Sequence, residues 1–118
     1  MSIFDGRDLV LMMHDLSVQA DACLDQKLPL AREAAEAEGR YRAARAAKLL
    51  DLTTNGMSVS QANVMVDGNK KVIDAKVAWR CAEAVAEAND DAHLLRKKEL
   101  GIVAEEYARQ WAAAGVVR

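Results

Sequence analysis

An all-α fold, built as a long antiparallel helical hairpin with a short helix in its connection, is what this sequence predicts. The composition comes first: 52% of the 118 residues are hydrophobic but only 4% aromatic, Gly is scarce, and Pro29 is the single proline. A chain rich in Ala, Glu, Leu, Lys and Arg favours long helices over strands. The periodicity comes second. From Leu9, apolar residues recur at helical spacing through Met13, Leu16, Ala20, Leu24 and Leu28, and then through Leu30, Ala34, Ala37, Tyr41, Ala44 and Leu49. Third, turn-forming residues cluster only near the middle of the chain, in "DLTTNG" and "DGN".

The first helical rod is expected over residues 7–50. Pro29 lacks an N–H and so marks a kink or short break, and the acid-rich "AREAAEAE" after it suits a fresh helix start. Asn55-Gly56 tolerates positive φ and ends the rod. Ser58-x-x-Gln61 reads as a capping box opening a short helix over 58–66. Asp67-Gly68-Asn69 stops that helix and launches the last one, over 70–114. Along the last helix the expected inner stripe is Ile73, Val77, Cys81, Ala84, Ala88, Ala92, Leu95 and Ile102.

Each rod of about 44 residues reaches about 65 Å at 1.5 Å per residue. Two such rods cover each other on one side only. Val72, Trp79, Val85, Leu94, Leu100, Val103, Tyr107 and Trp111 lie off the expected stripe and widen the apolar face. The expected remedy is a homodimer, two hairpins forming a four-helix bundle or coiled coil, with Trp79, Val85, Leu94, Tyr107 and Trp111 as self-association candidates.

Charge is unevenly placed. From Arg40 to Arg80 there are eight bases and three acids, net +5, while the remainder of the chain is net −7. A turn near residue 60 sets residues 40–48 beside 72–80. Arg40, Arg42, Arg45, Lys48, Lys70, Lys71, Lys76 and Arg80 then gather at one end as candidates for binding an anion or nucleic acid. Tyr41 and Trp79 among them are candidates for stacking on bases. The alternative is a solvated helix face. The overall charge of −2 runs against the basic profile usual in nucleic-acid binders. Tyr107 and Trp111, one turn apart, are expected to pack near Leu9, Met12 and Met13.

Catalytic patterns are sparse. Asp90-x-x-His93 has the spacing of di-metal carboxylate bundles, with Glu33 level on the neighbouring rod, but it needs Asp in place of Glu and a charged face turned inward. "DGNKKVID" opens like a calcium loop, yet its twelfth position is Ala78 instead of a bidentate Glu. There is no GxxxxGK[ST], GxSxG or HExxH. The reading is a non-enzyme with no cofactor and no metal. Cys23 and Cys81, far apart in sequence, read as buried small hydrophobes, and His14 as a surface histidine. No apolar run reaches 18 residues, and the first twenty residues carry three acids and one base, so no membrane partner and a cytoplasmic address are expected.

From Ala37 to Gly101 the order of features is a charged helix with Tyr41-Arg42, a "TTNG" break, a short segment opening at Ser58 and a long Ala-rich helix. In this layout the chain resembles small helical proteins encoded by bacteriophages and prophages, particularly of actinobacteria. The resemblance implies a non-enzymatic accessory role like that of proteins found near phage recombination or replication genes, in the bacterial host cell, with a protein partner of host or phage. It supplies no catalytic residue. The turn lacks the Trp-x-Gly of secreted helical hairpins.

Overall fold

The computed structural model describes residues 6–115 and contains three helices: α1 (Gly6–Thr54), α2 (Val59–Val66) and α3 (Lys70–Ala113). No strand occurs among the described residues, and no helix there is long and apolar enough to cross a membrane. α1 and α3 pack against each other as a hairpin, with α2 in the connection. α1 passes through Pro29 without leaving the helical state. Pro29 lacks the N–H that the Asp25 carbonyl would accept, and both residues are exposed.

The end of α1 is set by Gly56 at φ +93°. Its N–H donates to the Thr53 carbonyl at 3.2 Å, and the Met57 N–H donates to the Leu52 carbonyl at 3.2 Å. These are the two bonds of a Schellman cap, and they require a left-handed residue where a Cβ is strained. Ser58 then accepts the Gln61 N–H at 3.2 Å and starts α2. Asn69 does the same for α3, accepting the Val72 N–H at 3.3 Å.

Internal contacts divide the chain into two units, one formed by residues up to Lys27 with those from Ala88 onward, the other by Leu28–Glu87. In the first, the terminal unit, Leu9, Leu16 and Val103 are the buried cluster, and Met12, Met13, Leu100 and Tyr107 pack around it. The expected neighbourhood of Tyr107 with Leu9, Met12 and Met13 is therefore present. Deeper in this unit the contacts turn polar. Asn89 Nδ2 donates to the Cys23 carbonyl at 2.8 Å, and His93 Nδ1 lies 3.0 Å from the Ala20 carbonyl, a bond that needs the proton on Nδ1. In the second, the turn unit, Ala37, Ala62, Val66 and Val72 are buried.

The covered face of α1 steps by threes and fours through Leu9, Met13, Leu16, Ala20 and Cys23 in one unit and Leu30, Ala34, Ala37, Tyr41, Ala44 and Lys48 in the other; every one is buried or half-buried. This is the 3.5-residue period of coiled-coil packing. Leu24 and Leu28, expected in the stripe, fall out of that phase and are exposed.

For α3 the expected face is wrong. Ile73, Val77, Cys81, Ala84, Ala88, Leu95 and Ile102 are all exposed, and only Ala92 is half-buried. The covered positions are Val72, Ala75, Trp79, Ala82 and Ala86 in the turn unit, then Asn89, His93, Arg96, Leu100, Val103 and Tyr107 in the terminal unit. Three of these are polar, and a count of apolar residues puts them outside. Two of the three spend their polarity on α1 carbonyls, which is what makes their partial burial tolerable. Cys81 is accordingly an exposed thiol and Cys23 a half-buried one, both free.

Two expectations follow. Gly56→Ala meets no atom within 4 Å, so its cost is purely conformational, about 1–2 kcal/mol, read as a lower midpoint in urea. Asn89→Ala loses a bond to a backbone carbonyl and costs about 1 kcal/mol, measured as a fall in Tm at fixed protein concentration.

Candidate functional site

All eight candidate cations fall in the turn unit, and the hairpin brings the two sequence segments together there. Arg45 Nε reaches Asp67 Oδ1 at 3.3 Å across 22 residues. Tyr41 stacks on Trp79 with ring centroids 5.3 Å apart and planes 19° from parallel. The Arg80 guanidinium lies 4.2 Å from the Trp79 ring centre and that of Arg42 6.0 Å. The aromatic pair that was a candidate for stacking on bases is thus stacked on itself, with two cations over the indole. Both rings are half-buried. This contact joins α1 to α3 within the unit and adds quadrupole attraction to apolar burial.

The cations are also largely matched. Arg40 pairs with Glu33 at 3.1 Å, Arg42 with Glu38 at 2.8 Å, Lys48 with Asp51 at 3.3 Å, Lys70 with Asp74 at 2.7 Å, and Arg80 with Glu83 at 3.0 Å. With Arg45, six of the eight have a carboxylate partner. Asp74, hydrogen-bonded to Lys70, raises the Lys70 ammonium above the usual lysine value. Lys71 and Lys76 have no ion-pair partner among the described residues. Lys71 lines a shallow surface depression with Ala44, Ala47, Lys48, Asp51 and Asn69.

The window from 40 to 80 omits the acids that matter. Glu33, Glu38 and Glu83 lie outside it, and helical spacing of three, four and seven residues carries them onto the same faces. From Glu33 to Glu83 the chain holds eight bases and seven acids. Exposed pairs of this kind add little to stability, but they lower the potential that would draw a polyanion.

Of the self-association candidates, Trp79 and Tyr107 are engaged within the chain, Tyr107 also lying against Trp111 with centroids 5.7 Å apart. Val85, Leu94 and Trp111 are exposed. Of the di-metal set, His93 faces the Ala20 carbonyl and Glu33 pairs with Arg40. No group of three or more His, Cys, Asp or Glu among the described residues is placed to hold a metal ion.

One apolar feature had no strong signal in the sequence. Met57, Ser60, Gln61, Val64 and Met65 line an open groove on α2, where Val64 and Met65 are exposed. The alternation of a short amphipathic helix is the only sign of it, because a two-turn helix can bury just one side.

Oligonucleotide binding discriminates how many of these cations are available. Eight phosphate contacts to a single strand give a slope of log K against log salt near −5.6, whereas Lys71 and Lys76 alone give about −1.4. The expected slope is the shallow one, measured by fluorescence anisotropy between low and moderate salt. Set against known protein families, curated proteins and solved structures, the chain matches none of them.

Proposed function

We propose that this chain is a non-catalytic accessory protein of the phage-encoded kind its layout resembles, acting as a self-associating helical hairpin that engages another macromolecule. The observation that carries the reading is the outer face of α3. Val77, Val85, Leu95 and Ile102 are more than half exposed there, with Ile102 at 67%. Helices apolar on two sides are ordinarily buried on both. Large exposed apolar surface on a small domain marks a contact with another protein. Among macromolecular partners the charge pattern favours a protein over DNA or RNA, since six of the eight candidate cations already face carboxylates.

Light scattering on the purified chain tests the reading. The expected mass is twice the 12.9 kDa of one chain, unchanged by addition of a short single-stranded oligonucleotide. A mass of one chain at all accessible concentrations overturns self-association. A mass that grows with oligonucleotide and falls back with salt transfers the function to the basic residues of the turn unit.

A further inference from the structure

α2 turns more apolar surface outward than inward. Ala62 and Val66 are its buried residues, whereas Val59, Val64 and Met65 are 65%, 76% and 56% exposed. From Leu52 to Val66 fifteen consecutive residues carry no charge in a chain that is 29% charged, so no side chain of α2 itself repels an apolar occupant. α2 and its surroundings lie wholly within the turn unit.

Three depressions adjoin one another here. The first is open and apolar, lined by Met57, Val64 and Met65. The second meets it at Val64 and Met65 and adds Leu52, Lys48 and Asn69. The third shares Lys48 and Asn69 and is lined on its far side by Lys71. The surface thus changes along the series from apolar to cationic. Asp51 also lines the third, but its carboxylate is engaged by Lys48 at 3.3 Å and by Asn55 at 3.3 Å. Lys71 has no ion-pair partner among the described residues. It also stands in the first turn of α3, which holds no acid, at the positive end of the helix dipole. A cation in that place is unfavourable within the chain, and a carboxylate brought from outside relieves it.

We infer that this series of depressions docks an acidic amphipathic helix of a partner protein, its apolar side chains on α2 and a carboxylate at Lys71. The inference rests on the reading that the chain engages another macromolecule, and it names the surface and the partner's chemistry. Charge complementarity selects the occupant: the uncharged end takes aliphatic side chains, and the cationic end takes an acid. A helix laid in a groove presents both at steps of three and four residues. Met57 and Met65 are unbranched and polarizable, which suits them to an irregular apolar partner. A nucleic acid finds few free cations here, because Lys48 is paired with Asp51 and Lys70 with Asp74. A second copy laid on this surface in reverse sets Lys71 against the apolar end and leaves it without a carboxylate.

Fluorescence anisotropy tests the assignment with a labelled synthetic peptide of about three helical turns, leucine at i, i+3, i+4 and i+7 and glutamate elsewhere. A companion peptide carries lysine in place of each glutamate. The native chain is expected to bind the acidic peptide at least ~10-fold more tightly than the basic one. Val64→Ser with Met65→Ser exchanges two exposed side chains. It is expected to keep the helical circular dichroism and to weaken the acidic peptide at least ~10-fold. Lys71→Glu, also at an exposed position, is expected to abolish the preference for the acidic peptide. Equal affinity for the two peptides overturns the inference, as does acidic-peptide binding that neither variant changes, since the peptide then sits elsewhere. Light scattering on the same samples separates this surface from self-association. A native chain of dimer mass that binds no acidic peptide overturns the docking surface and leaves self-association standing. The mass of one chain with the expected peptide binding does the reverse. A dimer lost in Val64→Ser with Met65→Ser makes a second copy the occupant and overturns the inference.

Discussion

A two-helix hairpin covers one face of each helix, and α3 is apolar on two. That mismatch is the constraint from which the rest follows. The face turned to α1 is the weaker of the two by apolar count, since it spends three of its positions on Asn89, His93 and Arg96. The outer face carries Val85, Leu95 and Ile102, with alanines between them, into solvent. Polar residues in a helix seam are costly unless satisfied, and their usual benefit is to fix register. Asn89 and His93 are satisfied by backbone carbonyls of α1, which holds α1 and α3 of the terminal unit at one longitudinal setting.

The turn unit solves the same problem with different chemistry. Its seam is mostly alanine, and the volume is supplied by Tyr41 stacked on Trp79, with Arg80 and Arg42 over the indole. Carboxylates one or two turns away bind most of its cations. A run of arginines that looks like an anion site in isolation is in this setting part of how two helices hold together. Charge spent on neighbours is spent from the same side chains that would otherwise meet phosphate.

Much of the hairpin was legible in the sequence because its signals are local. Ser58 caps α2, Gly56 takes the one positive φ at the end of α1, and the residues that meet across the hairpin, Tyr41 with Trp79 and Leu9 with Tyr107, follow once the turn is placed. The phase of α3 was not legible. Apolar counting selects the face with the most hydrophobic residues, and in this helix that face is the outer one. Nothing local says that Asn89 will find a carbonyl 66 residues away. The charge balance of the candidate site was missed for a related reason: a window cut at Arg40 and Arg80 leaves out Glu33, Glu38 and Glu83, which helical geometry brings back.

The proposal that α3 has its exposed apolar face covered by a second copy is tested most directly by solution mass. Sedimentation equilibrium over a wide range of concentrations, with Leu95→Glu beside the native chain, reports on it, since Leu95 is exposed. The account predicts twice the 12.9 kDa of one chain for the native protein and a lower mass for the variant. The mass of one chain at every concentration, or a variant as heavy as the native dimer, contradicts it.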